Sequence, residues 1–412
     1  LARDEFDVIV VGAGAAGIAA ARRLQGSGLH ALVLEARARP GGRAFTTTLD
    51  GHVVDLGCGW LHSAETNPWV EIARRRGFTI DKSPPPWARA DAQIGPNRAD
   101  MADFGAAIGR FRARVEDYPQ DGPDAALDAL VAPGEPMRPM IDAVSTYYSG
   151  AEPEKISTID LARYADSGVN WRVREGLGAA IAAEAEGLPI RYEAQVRRID
   201  RRGARLAVET GEGGLATRAA IVTLPSAILA QTPDFFAPAL PEKTEAAARL
   251  PLGLADKLYL ELTAPEDFPA DSRAFGRTDT RATAAYHFRP LGKPLIEAFF
   301  GGELADELER GGAAAVEDFV LGELAGLFGA EFRSRVRALP FHGWRTDPLA
   351  RGAYSYAKLG SADARATLAA SVEDRIFFAG EACSKHGYST AHGAYETGVA
   401  AAEAALVALG AQ

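Results

Sequence analysis

Apolar residues open the chain in two short runs divided by glycine. DVIVV leads into GAGAAG, an alanine-rich IAAARRL follows, and HALVL closes the unit. Runs this short, bounded by glycine and rich in valine and leucine, predict buried strands, and the alanine-rich stretch between them predicts a helix. Residues 5–36 therefore predict strand, turn, helix, strand. GHVVDLGCGW predicts a strand entering a glycine-rich bend. Residues 83–140 change character: SPPPW, a polar stretch, ADFGAAIGRFRARVEDY and PDAALDALVAPGEP together predict an inserted helical region. VREGLGAAIAAEAEG predicts a helix, LPIRYEAQVRRIDRRGARLAVET short strands, and RAAIVTLP a β-rich run closed by Pro225. After that, KLYLELT and LIEAFFGG predict strands and AAAVEDFVLGELAGLFG an amphipathic helix. From about residue 343 the chain returns to the opening theme with GWRTDPLARGAYSYA and RIFFAGEACSKHGYSTAHGAYETGVAAAEAAL. The alternation implies two interleaved domains, one of them built from three separated pieces of chain.

Gly12, Gly14 and Gly17 form Gly-x-Gly-x-x-Gly at the first strand–helix turn, and Glu35 ends the second strand. That spacing sets an acid to meet a ribose hydroxyl while the helix start faces a pyrophosphate. The glycine motif alone is weak; with strand, helix, second strand and acid in order, it predicts a dinucleotide site.

Composition narrows the picture. At 412 residues, 47% hydrophobic and 24% charged, the chain reads as globular with room for two or three domains' worth of core. A net charge of −10 argues against a nucleic-acid partner; it fits solubility alone as a default and, as the second reading, attraction of a cationic substrate. Cys58 and Cys383 are the only cysteines, too few for a disulfide framework, and no Cys/His spacing suggests a metal site. A reducing, cytoplasmic compartment fits, with no membrane span expected. Residue 1 is Leu, which leaves a removed signal peptide open.

With these motifs in place, the chain resembles the flavin-dependent amine oxidase superfamily of monoamine oxidases, polyamine oxidases and histone demethylase relatives. Four segments carry the resemblance in order: GAGAAG with Glu35, ARPGGR, VDLGCGWLH and FFAGEA…HGAYETG. VDLGCGWLH is most similar to the polyamine-oxidase branch. The resemblance implies an α/β fold in which a Rossmann-type FAD-binding domain (1–79, 166–242 and 343–412) is interleaved with a mixed α/β substrate-binding domain (80–165 and 243–342). It implies that Gly12, Ala13, Gly14 and Gly17 approach the FAD diphosphate and that Glu35, with Ala36 beside it, takes the adenosine ribose. Gly41, Gly42 and Arg43 would stand by the same diphosphate, where a guanidinium binds two oxygens at once. Val196 would meet the adenine end through its backbone, and Gly57 would lie along the cofactor. Gly380 and Glu381 would reach the ribityl or diphosphate region. Thr390 and Ala391 would open a helix whose positive end faces the flavin pyrimidine.

The reaction implied is transfer of a hydride equivalent from the carbon beside an amine nitrogen onto flavin N5. The imine then hydrolyses, and dioxygen regenerates the flavin with release of hydrogen peroxide. Lys257 matches the family's lysine that holds a water beside N5. Trp60, Trp344, Tyr354 and Tyr388 are candidate aromatic walls, with Trp60 also beside the cofactor and His62 a pocket residue. Two departures from the family pattern stand out. Ala353 occupies the position of the attachment cysteine of monoamine oxidases, so FAD is expected without a covalent bond. Thr390 occupies that of the second cage tyrosine, which implies a wider or more polar pocket. The substrate class is a primary or secondary amine, with polyamines among the candidates. Two alternatives stay open. One is an L-amino-acid oxidase using Arg89, Arg172 or Arg289 as carboxylate clamp; the other is an inactive flavin-binding scaffold. The oligomeric state is open too, with a homodimer one option.

Overall fold

The computed structural model describes residues 5–411 and is built around two sheets. The first has eight strands, ordered Phe236–Ala237, Val196–Asp200, Leu206–Thr210, Gly213–Val222, Glu5–Val11, Ala31–Leu34 and Ile190–Arg191, with Ile376–Phe378 off the path beside Gly213–Val222. The opening strand pairs in parallel with both neighbours, placing Val10 opposite Ile221 on one side and Val33 on the other. Val8, Ile9 and Val10 are fully buried, as expected where helices and loops cover both faces of a parallel sheet. Gly213–Val222 serves two partners along one edge. Its first half takes the antiparallel strand Leu206–Thr210, and its last three residues take Ile376–Phe378.

Helix Ala15–Leu24 follows the first turn and packs on the last helix, Ala391–Leu409. Small residues permit this approach. A methyl placed on Gly398 would stand 2.1 Å from the Ala16 carbonyl oxygen, so the two backbones all but touch.

The second sheet is antiparallel, ordered Ser272–Phe275, Ala285–Phe288, Leu295–Gly301, Ala255–Leu262 and Val336–Ala338. Helices Gly302–Gly311 and Ala313–Phe328 cover it, burying Val316, Val320 and Leu324 completely. A smaller apolar cluster gathers Asp100–Glu116 and Arg138–Ser149 around Phe104, Phe111 and Ile141.

The sequence pattern departs from these elements in a few places. The helix expected over VREGLGAAIAAEAEG is confined to Leu177–Ala183, because Arg172–Val173 pairs as a strand with Ile80–Asp81 and Gly176 adopts φ +102°. The expected helical region at 83–140 begins as three short 3₁₀ turns between Pro86 and Ala99, where prolines interrupt the chain. Among the described residues no helix is long and apolar enough to cross a membrane.

Candidate active site

The strand Glu5–Val11 ends in a turn whose glycines are required for different reasons. Gly12 has φ +100°, where a Cβ would also meet Thr223 Oγ1 at 2.7 Å. At Gly17 a Cβ would lie 1.9 Å from the Gly12 carbonyl oxygen, so only glycine lets the helix close on the turn. Gly14 differs from both. Its φ is an ordinary −74°, and no atom of the protein comes within 4 Å of where a Cβ would be. Nothing in the polypeptide demands glycine there, and the space lies at the start of a helix, where backbone amides point outward.

Around this cradle the expected residues come together. The Ala13 amide donates to Glu35 Oε2 and the Arg37 amide to Oε1, both at 2.7 Å, so Glu35 is fixed although buried. Ala36, half-buried, follows it. The Ala194 amide donates to the Glu35 carbonyl at 2.8 Å, bringing the start of strand Val196–Asp200 to the same edge. The Gly41 amide donates to the Ala13 carbonyl at 2.8 Å, and Gly42 leans on Gly14, a Cβ there falling 3.4 Å from the Gly14 Cα.

Arg43 ties this end of the chain to the other. Its Nη1 donates to the Ala353 carbonyl at 2.7 Å and to Glu381 Oε1 at 2.9 Å. Glu381 Oε2 accepts from Ser355 Oγ at 2.6 Å and from the Ser389 amide at 3.0 Å. Burial opposes the Glu381 charge, but Arg43 and Ser355 hold its carboxyl below the ordinary value. Glu381 thus anchors Arg43 through protein partners on both of its oxygens. Gly380 (φ +134°) precedes it, and a narrow crevice is lined by Arg43, Val222, Leu224, Gly380 and Glu381.

Helix Ala391–Leu409 starts at this wall. Thr390 Oγ1 accepts from the Gly393 amide at 3.0 Å and donates to the Gly387 carbonyl at 2.6 Å. Its hydroxyl is therefore committed to the cap, which corrects the expectation that it is free to make the pocket polar. Ala391 begins the helix, and its carbonyl accepts from the Trp69 indole at 2.9 Å.

Lys257 projects from the second sheet toward the turn that follows strand His52–Asp55. Its Nζ donates to the carbonyls of Asp55 at 3.1 Å and Gly57 at 3.0 Å. Trp344, 3% exposed, donates its indole N–H to the Leu56 carbonyl at 3.1 Å, and its ring lies against Gly57. Gly57 has no room for a side chain, since a Cβ would stand 1.7 Å from the Arg43 carbonyl oxygen. Lys257, Trp344, Gly57 and Arg43 thus form one continuous wall. The Tyr354 hydroxyl donates to the Tyr147 carbonyl, and its backbone pairs with Gly253. Trp60 lies farther along, in edge contact with Trp87 at 4.4 Å between ring centres and beneath the Arg172 guanidinium.

Two expected pocket residues are engaged by other parts of the protein. Tyr388 is buried with the Arg365 guanidinium 3.6 Å over its ring and its hydroxyl donating to the Asp160 carbonyl, a core arrangement. His62 bonds Asn170, and burial lowers its pKa, so it is a neutral ring in a polar cluster with Asn67 and His392. Sequence reasoning missed three features: the buried pair Arg365–Asp160, the carboxylate Glu297 beside Lys257, and Asp55 beneath it. Glu297 left a signal, an acid inside the apolar run LIEAFF. Asp160 and Arg365, far apart in sequence, left none.

The open cradle at Gly14, two helix starts and an anchored arginine between them fit a diphosphate-bridged dinucleotide, and the fold with this site defines a Rossmann-type dinucleotide-binding protein. A profile of the NAD(P)-binding Rossmann-like domain matches residues 10–75, and one described as flavin containing amine oxidoreductase matches residues 137–406. The chain belongs to the flavin-containing amine oxidoreductase family, and its cofactor is a flavin. It is 32% identical to lysine-specific histone demethylase 1 homolog 2 of Oryza sativa subsp. japonica over 95% of its length and 56% of the relative's. To polyamine oxidase 2 of Arabidopsis thaliana it is 29% identical, over 96% of its length and 87% of the relative's. The chain spans about half the length of the demethylase homologs it matches. Among solved structures, cyclohexylamine oxidase from Brevibacterium oxydans shares its fold, with TM-score 0.79 at 22% identity over 98% of this chain and 99% of that one. A putrescine oxidase variant superposes equally well, TM-score 0.79 at 19% identity, with coverage of 98% and 99%.

Proposed function

We propose that this protein oxidises a primary or secondary amine, di- and polyamines included, to an imine. FAD would be held without a covalent bond in a domain made of residues 1–79, 166–242 and 343–412. The observation that carries this reading is Lys257, fixed by two backbone carbonyls on the wall that joins Gly57, Trp344 and Arg43. When bound, the flavin supplies the two-electron acceptor. The chain does the rest. Arg43 and the starts of helices Ala15–Leu24 and Ala391–Leu409 carry the cofactor's negative charge. Trp344, Trp60 and Trp87 exclude water from the amine, and dehydration favours its neutral, oxidisable form. Lys257 orients a water at the reacting face.

The amino-acid oxidase alternative is less favoured, because the three candidate clamps already have partners within the protein. Arg172 is buried between Asp81 and Asp271, Arg289 donates to the Phe268 carbonyl, and Arg89 pairs with Asp91. Anaerobic mixing of the FAD-loaded protein with a panel of amines tests the proposal. Bleaching of the oxidised flavin by amines and not by amino acids is expected. No bleaching by any amine would leave a flavin-binding scaffold.

A further inference from the structure

Glu297 lies beside Lys257 and has no part in the reading above. The sheet register sets it opposite Tyr259 on one side and His287 on the other, so the three side chains share a face. Lys257, two residues before Tyr259, projects from the same face as a diagonal neighbour. Glu297 Oε2 lies 2.7 Å from the Tyr259 hydroxyl, which also reaches the Asp55 carbonyl at 2.9 Å. The carboxylate stands 3.8 Å from Lys257 Nζ, the two side chains being 17% and 10% exposed.

An acid in the apolar strand Leu295–Gly301 is costly unless a cation answers it. The charged and titratable groups facing this site are Lys257, Asp55, Tyr259, His287, Arg172 and Lys293. Arg172 already carries Asp81 and Asp271, and Lys293 donates to the Val53 carbonyl. Among the described residues, Glu297 is the one carboxylate within ion-pair distance of Lys257. Burial opposes the Glu297 charge, but Lys257, His287 and the Tyr259 hydroxyl hold it ionised, below the ordinary value.

The 3.8 Å separation matters. An ammonium has three donors, and two go to the carbonyls of Asp55 and Gly57. A carboxylate in direct contact would take the third. At this distance it attracts the charge without forming a hydrogen bond, and the third N–H stays free for a water.

We propose that Glu297, steadied by Tyr259, is a positioning residue that fixes the Lys257 ammonium on the Gly57 turn with one donor free. The proposal rests on the reading that Lys257 serves amine oxidation at the flavin. Glu297→Gln, Glu297→Asp, Lys257→Met and the Gln–Met double variant test it in the FAD-loaded enzyme, by thermal unfolding midpoint and by the two flavin half-reactions. Glu297→Gln is expected to slow whichever half-reaction Lys257→Met slows, by tenfold or more, with Glu297→Asp restoring part of the rate. In the Lys257→Met background it should slow the rate no further and should raise the midpoint, because it removes a buried carboxylate already left without its cation. Equal effects in both backgrounds, on rate and midpoint alike, would overturn the proposal. Coupled midpoints with no dependence of either half-reaction on Lys257 would keep the positioning role and refute the reaction role of Lys257 instead. Tyr259→Phe gives the same comparison should Glu297→Gln fail to accumulate.

Discussion

Gly14→Ala separates what the polypeptide needs from what the cofactor needs. Gly14 has φ −74° and ψ −177°, a conformation alanine adopts freely, and its Cβ would meet no protein atom within 4 Å. Without FAD, the substitution should leave stability unchanged or raise it by about 0.4–1 kcal/mol, because alanine restricts the unfolded chain. With FAD, the new methyl enters the space assigned to the diphosphate. Affinity should fall at least tenfold, about 1.4 kcal/mol. Gly17→Ala is the contrast. A methyl 1.9 Å from the Gly12 carbonyl overlaps backbone by more than an ångström, so the helix must move, and overpacking of that kind costs about 1–3 kcal/mol or more. Isothermal titration with FAD and thermal unfolding of the FAD-free protein read the two effects separately. Wild-type FAD affinity in Gly14→Ala would refute the placement of the diphosphate. Destabilisation of FAD-free Gly14→Ala to the level of Gly17→Ala would refute the claim that the cradle is empty of protein.

Acid precipitation should release the flavin into the supernatant, because Ala353 offers no sulfur for attachment; flavin retained in the pellet would contradict this. Arg365→Met should destabilise the protein by about 3–5 kcal/mol in denaturant unfolding, since it leaves Asp160 charged and about 1% exposed without its partner at 2.7 Å. A loss below 1 kcal/mol would show that Asp160 finds water or a proton instead. Flavin bleaching should be faster with di- or polyamines, or bulky secondary amines, than with benzylamine, and the apparent KM should rise with ionic strength. The net charge of −10 steers cations and salt screens it, so benzylamine reducing fastest with no salt dependence would overturn both expectations.

The nucleotide-binding half was legible because its requirements are local. Gly12, Gly17 and Glu35 are spaced by one strand–turn–helix–strand unit, and period and turn chemistry expose that unit directly. The last helix was legible for the same reason, with Thr390 capping an alanine-rich run. What escaped is set by pairing across distance. Arg365 meets Asp160 only after the fold brings them together, and each alone looks like an ordinary surface charge. Tyr388 carries the same ambiguity: a tyrosine near a glycine-rich loop suits a pocket wall as well as a core, and the Arg365 beneath its ring decided for the core. Glu381 was located by motif, but its bonds to Arg43 and Ser355, which make it an anchor, were not legible from the motif.

The near-touching of Gly398 and Ala16 orders events on the ribosome. The first strand, turn and helix are synthesised long before the helix Ala391–Leu409 that packs on them. Until residues around Gly398 leave the exit tunnel, the part of Ala15–Leu24 that packs on Ala391–Leu409 lacks that cover. Arg43 likewise lacks Glu381 until then. The nascent chain therefore holds its nucleotide half incomplete until this helix is made, and a cradle with its arginine anchored is expected only afterwards.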